Sequence, residues 1–222
     1  VSPPARRSGG MAYDGADHYV VMWGGHNGTA PNGSINYQPD YTMLNDTWSF
    51  SGGAWTQVVT ANAPPPSSEP SLQYDPTTGV VIEFGGYDQH GVGGYLAFNQ
   101  TWAYSAGLWT NLGLVHSPYA RDGAASTFDA SRGVVLTAGQ DEGVHGRCLM
   151  NDTWVLSGPS VSALHWHKVF TTAQFPPMDS ASAVCDSALH ANLLFGGTGT
   201  NARLCGSVKT QTWLGATWEL AP

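Results

Sequence analysis

Charge is scarce in this sequence. Only 11% of its 222 residues are Asp, Glu, Lys or Arg, the acids outnumber Lys and Arg 16 to 8, and the formal net charge is −8. Two of the bases are lysines, Lys168 and Lys209. A nucleic-acid partner is therefore not expected, because backbone binding draws on clustered Lys and Arg. Long apolar runs are missing too: none approaches the roughly 20 residues of a membrane-spanning helix, so no membrane span is expected. No signal peptide is recognisable, and the chain begins at Val1, as either a processed secreted form or an excised segment would. Cysteine is limited to three, an odd count. There is no Ser-His-Asp order, phosphate-binding loop or metalloprotease signature. Catalytic residues, a metal site and a cofactor are accordingly not expected.

What the chain does have is repetition. Asn45-Asp46-Thr47-Trp48 returns as Asn99-Gln100-Thr101-Trp102, as Asn151-Asp152-Thr153-Trp154 and as Thr210-Gln211-Thr212-Trp213. A period in the fifties suits four short strands per unit better than a helical pair. Upstream of each copy runs an apolar stretch closed by glycine: Tyr19 to Gly25, Val80 to Gly86 and Leu193 to Gly197, while Val134 to Gly139 keeps one glycine and ends on Gln140. Before each run stands an aromatic or Cys followed by Asp: Tyr13-Asp14, Tyr74-Asp75, Phe128-Asp129, Cys185-Asp186. Asp at the start of a tight turn accepts backbone hydrogen bonds, which predicts a hairpin at each place. After each Thr-Trp come a glycine-bearing turn and a second tryptophan (Trp55, Trp109, Trp166, Trp218), which predicts a second hairpin.

The apolar run before Gly-Gly and the two spaced aromatics after it resemble the kelch repeat, and the resemblance covers the chain from Pro3 to Leu220. It implies an all-β fold: a single β-propeller over residues 1–222, with four kelch-type blades of four antiparallel strands each, at about 3–60, 64–114, 117–170 and 175–220. Physics agrees, since one such sheet leaves both faces wet, whereas sheets packed face to face around an axis cover each other. Four blades is few for the family, so either a compact ring or part of a longer array is open. The family includes a copper oxidase of galactose, but its two Tyr, two His and Tyr–Cys crosslink do not map onto this chain. In a propeller, Cys148 and Cys205 fall at one rim of adjacent blades and Cys185 at the other, so the expected disulfide is Cys148–Cys205 with Cys185 a buried thiol; three reduced cysteines are the alternative.

The longest connection, His26 to Leu44, is the first choice for a contact surface, since loops above roughly 12–15 residues are uncommon unless functional or disordered. It carries His26, Asn27, Tyr37, Asp40 and Tyr41, and the corresponding loops add His90, Asp141 and His145. Five glycosylation sequons occur, at Asn27, Asn32, Asn45, Asn99 and Asn151; the last three coincide with the repeat signature and have a structural task, leaving Asn27 and Asn32 as the better acceptors. Arg6 and Arg121 occupy matching places, and either face a central channel to hold an anion or pair with nearby Asp and carbonyl groups. His165 and His167 share one face of a strand, as two metal ligands or as exposed edge histidines. The expectation is an extracellular or cell-surface, non-enzymatic propeller serving as a binding or structural module, with a protein partner, self-assembly or a glycan. The alternatives are a carbohydrate-binding or -oxidising propeller and a peptide-binding adaptor segment.

Overall fold

The computed structural model describes residues 1–27, 42–89, 95–141, 148–170, 175–189, 191–199 and 212–220. The fold is all-β, built on four antiparallel sheets that follow one another along the chain. In the first three units the strands lie side by side in chain order. Unit 1 has Gly10–Asp14, Tyr19–Trp23, Thr47–Ser51 and Ala54–Val58. Unit 2 has Ser71–Asp75, Val80–Phe84, Thr101–Ser105 and Leu108–Asn111, and unit 3 has Ala125–Asp129, Gly133–Thr137, Thr153–Ser157 and His165–Val169. The fourth sheet, Ser182–Asp186, Ala191–Phe195 and Thr217–Leu220, has three strands among the described residues.

The turn-forming aspartates act as the sequence predicts. Asp14 Oδ1 accepts the Ala16 amide at 3.0 Å, Asp75 Oδ1 that of Thr77 at 2.9 Å, Asp129 Oδ1 that of Ser131 at 2.8 Å and Asp186 Oδ1 that of Ala188 at 2.9 Å. The glycine pairs have a sharper cause. At the second glycine φ is 89°, 81°, 101° and 88° (Gly25, Gly86, Gly139, Gly197), and a Cβ there would meet the carbonyl oxygen of Arg7, Ser68, Asp122 or Asp179 within 2.6–2.9 Å. A side chain is excluded twice over, by backbone conformation and by space. Unit 3 shows which glycine matters: Ala138 replaces the first at φ 61°, and Gly139 is retained.

The units are joined by one recurring junction. Gly25, Gly86 and Gly139 donate N–H to the carbonyls of Ser67, Arg121 and Met178 in the next unit at 2.8, 2.9 and 2.8 Å. The amides of Ser67, Arg121 and Met178 donate back to Leu44, Phe98 and Met150 at 3.3, 3.0 and 3.0 Å. Glu69 N–H reaches Ser8 O, Gly123 N–H reaches Glu69 O and Ser180 N–H reaches Gly123 O, at 2.8, 3.2 and 2.9 Å. Side chains repeat the pattern. The outer-strand Trp109 donates to Thr47 Oγ1 of unit 1, and Trp166 to Thr101 Oγ1 of unit 2, each at 2.9 Å. One apolar cluster fills each junction: Val21, Trp23, Leu72, Val81, Tyr104 and Trp109 between units 1 and 2; Ile82, Phe84, Leu136, Leu156 and Trp166 between units 2 and 3; Val135, Val155, Met178 and Leu194 between units 3 and 4. Neighbouring sheets thus bury what each alone would leave wet.

Unit 4 departs from the expected register. Thr212–Trp213 is not the counterpart of the earlier Thr-Trp pairs; it lies in a short rim hairpin paired with Thr198–Gly199, as Thr42–Met43 pairs with His26–Asn27 in unit 1. Leu214 N–H bonds Gly197 O at 3.0 Å, the place held by Leu44, Phe98 and Met150 in the other units. The strand that pairs with Ala191–Phe195 contains Thr217 and Trp218, with Thr217 opposite Phe195 as Thr47 is opposite Trp23. Trp218, expected in an outermost strand, therefore sits in the third strand, and the repeat's Asn and Asp fall on Gly215 and Ala216. Two burial facts follow. Trp213 is 88% exposed, and the Trp218 indole N–H, with Ala216 where Trp48 and Trp154 find a carboxylate, is buried with no hydrogen-bond partner among the described residues.

Candidate functional site

The repeat signature is structural in detail. Asp46 accepts Arg6 at 2.6 and 2.7 Å and the Trp48 indole at 2.6 Å; Asp152 accepts Arg121 at 2.6 and 3.2 Å and the Trp154 indole at 2.8 Å. Arg121 is fully buried and also donates to the carbonyls of Tyr119 and Ala138, each at 3.0 Å. Arg6 likewise donates to Gly24 O at 3.0 Å. These arginines are consumed by the fold, so of the two readings the pairing one holds and neither is offered to an anion in a channel. Units without the acid lack the arginine: Ser67 stands with Gln100, and Met178 with Ala216. Burial alone would raise the Asp152 carboxyl, but the Arg121 hydrogen bonds and charge, with Trp154 and Lys168, outweigh it and hold the group below the usual carboxylate range.

The segments that lead into the first strand of each of the four sheets come together at one place. Ser8, Gly9, Glu69, Pro70, Gly123, Ala124, Ser180 and Ala181 line one cavity of about 280 Å³. Asp122 and Asp179 are buried beside it. Burial and then the nearby Asp179 charge raise the Glu69 carboxyl, against a hydrogen bond from Asp122 and the charge of Arg7. His26, expected as a rim binding residue, begins the unit 1 rim hairpin with its ring buried. It is 3% exposed, with Nε2 accepting Arg7 Nε at 2.6 Å and Nδ1 2.8 Å from Ser68 Oγ. Because a guanidinium only donates, Nδ1 carries the proton. Burial, then the Arg7 charge, lowers the His26 pKa and keeps the ring neutral.

The larger concavity lies at the rim between units 2 and 3, with a volume of about 570 Å³. The Tyr119-Ala120 neck and Asn99 form one wall; Asp141 and Cys148 to Asp152 form the other, with Lys168 from the outer strand. A two-residue hairpin sets the second wall, pairing Asp141 with Cys148 and Gln140 with Leu149. Lys168 Nζ lies 3.6 Å from Asp152 Oδ2 and 5.8 Å from the centre of the Trp154 ring. Asp152 and Lys168 thus satisfy each other's charge, and the walls bring Met150 and Tyr119 to the opening, with Leu149 buried in the wall. Two residues named from sequence, Asp141 and Cys148, belong to this groove. Asn27 is half-buried in the unit 1 rim hairpin. Tyr37, Asp40, Tyr41, His90, His145, Asn32 and Cys205 lie outside the described residues. Cys148 is disulfide-bonded and Cys185 is a free, half-buried thiol.

His165 and His167 are exposed, with rings 6.0 Å apart, and among the described residues no group of three or more His, Cys, Asp or Glu is placed to hold a metal. Sequence reasoning missed Tyr119 and Lys168, which belong to no repeated motif. It also missed Glu83, 2% exposed inside an apolar run, where burial alone pushes the carboxyl well above its ordinary value.

A scan against protein-family models finds no match, and a search of curated proteins finds none either. Among solved structures the chain is similar to one titled "Structure of YjhT", with a TM-score of 0.65 and 15% identity. The match covers 90% of this chain and 62% of that one, so the chain spans less than two thirds of the length of the structure it resembles. At this identity the likeness shows a shared fold.

Proposed function

We propose that the four sheets are blades of a kelch-type β-propeller, and that the protein is an extracellular binding module whose rim groove between units 2 and 3 receives an apolar side chain of a protein partner. The observation that carries this is the groove itself: about 570 Å³, walled by Met150, Leu149 and Tyr119, with the Asp152–Lys168 ion pair also lining it. A pocket of this kind anchors an aliphatic or aromatic group, while exposed polar groups at its edge fix orientation. Tyr119, 75% exposed, supplies such an edge. The extracellular part of the reading draws on the disulfide at Cys148. Cys205 is its proposed partner, and Asn27 and Asn32 are the proposed glycan acceptors.

Selection from a displayed peptide library tests the groove. Peptides with a shared large apolar residue are expected on the wild-type protein and should lose binding to Met150→Lys. An empty selection together with specific hits on a glycan array would replace the protein partner by a sugar. Intact mass of the secreted protein, with and without reduction, tests the compartment: one disulfide and at least one glycan are expected, and an unmodified chain with three thiols would refute it.

A further inference from the structure

Units 1, 2 and 3 each enter their third strand through the same triplet, Asn-x-Thr, at 45–47, 99–101 and 151–153. The fold accounts for the threonine. Thr47 and Thr101 are 1% and 2% exposed, and their Oγ1 atoms accept the indole N–H of Trp109 and Trp166 from the following unit at 2.9 Å. The fold accounts for the middle residue as well, since Asp46, Gln100 and Asp152 each accept the indole of the tryptophan two places on. The asparagine is different. The structural task expected of it, a side-chain bond to backbone where the loop enters the strand, is not performed at two of the three places. Asn45 and Asn99 are exposed, and among the described residues neither side chain makes a hydrogen bond. Asn151 is half-buried.

Unit 4 dispenses with the asparagine altogether. Gly215 stands in its place, and the third strand still forms in register, with Thr217 opposite Phe195. The exposure of Asn45 and Asn99 belongs to joints between described units. Leu44 and Phe98, the residues just before them, accept the amides of Ser67 and Arg121 from the next unit. Two asparagines thus recur in a fixed place, open to solvent, with no bond to the fold.

The triplet itself has a chemistry. Asn-x-Thr, with x other than Pro, is the acceptor for an N-linked glycan. We infer that Asn45 and Asn99 carry such glycans, added before their threonines are enclosed by the neighbouring unit. In the transfer Nδ2 bonds to the anomeric carbon of a lipid-linked oligosaccharide and loses a proton, while the bond from that carbon to the lipid diphosphate breaks and the diphosphate leaves. After folding, each glycan needs an amide that faces water and is not committed elsewhere, and these two meet that need. Asn99 lines the groove between units 2 and 3 beside Tyr119, so its glycan borders that opening. The inference rests on the extracellular part of the reading above and is independent of what the groove receives.

Secretion of the 222-residue chain from a eukaryotic host provides the test. Enzymatic deglycosylation in heavy-oxygen water converts each glycosylated Asn to an isotope-labelled Asp, which peptide mass mapping locates. The label is expected at both Asn45 and Asn99. Asn45→Gln and Asn99→Gln should each remove the mass of one glycan, and the deglycosylated variants should keep the urea midpoint of the deglycosylated parent. A lower midpoint with no glycan lost would mean that these side chains serve the fold, and overturns the inference. Absence of the label from either residue overturns it too. If Asn27 or Asn32 is then labelled, the extracellular reading stands; a chain with no glycan and three thiols removes that reading as well.

Discussion

Replacing Arg121 by Met and Asp152 by Ala together asks whether the buried pair is an exchangeable part, because unit 4 already has Met178 and Ala216 at those two places. Arg121 is 0% exposed and Asp152 13%, with N–O contact at 2.6 Å and two backbone carbonyls on the same guanidinium. Removing one partner of such a pair leaves a buried charge uncompensated and costs about 3–5 kcal/mol, whereas replacing both by well-packed apolar groups is often neutral. Asp152→Ala alone should therefore lose about 3–5 kcal/mol, and the double variant should fall within about 1 kcal/mol of wild type, a coupling of at least about 2 kcal/mol. Urea titration followed by tryptophan fluorescence reads this as a midpoint drop of at least about 1 M for the single variant and little change for the double. The acid limb gives a second reading. Asp152 is held below 3.8 in the fold, so its share of stability is present above that value and falls away as pH drops through it. The difference between wild type and Asp152→Ala should therefore shrink below about pH 4. A double variant as unstable as the two single losses added would refute the reasoning.

Glu83→Met copies Met22 of unit 1 and removes a carboxyl raised by burial; such a group favours the fold at low pH and loses that contribution as pH rises through 4.5, so the variant should gain about 1–3 kcal/mol at pH 7 and less near pH 4 in parallel denaturation curves. A variant less stable than wild type at pH 7 would count against this. Thr47→Val removes the acceptor of the Trp109 indole and should cost about 1–3 kcal/mol by thermal or chemical unfolding, while Ser49→Ala, on an exposed hydroxyl of the same strand, should change little. Trp213→Ala should alter stability by no more than about 0.5 kcal/mol and Trp218→Ala by about 3 kcal/mol; the reverse order would restore the register expected from sequence.

Local chemistry made most of the fold readable. The Asp turns and the second glycines depend on groups within a few residues or on a backbone angle only glycine adopts easily, and both can be read from the sequence alone. The fourth unit was misread because two similar pairs compete. Thr210 to Trp213 imitates the signature and lies 16 residues past its Gly-Gly, as Trp102 lies past Gly86. Thr217-Trp218 lacks the preceding Asn and Asp, and its claim rests on cross-strand partners that the sequence does not display. The missing acid was nonetheless a clue, since Met178 stands where Arg6 and Arg121 pair with Asp46 and Asp152. The site was less legible than the fold. His26 is taken up by Arg7 and Ser68 from neighbouring necks, and the rim groove depends on Tyr119 and Lys168, brought together from a linker and an outer strand nearly 50 residues apart.

Because the joints between the described units share one set of backbone hydrogen bonds, duplication or loss of a whole repeat in the gene leaves each remaining joint's backbone pairing intact. Lineages carrying such a chain can change the number of repeats without inventing a new interface. Selection is then free to act on the short rim connections, where one repeat already differs from the next.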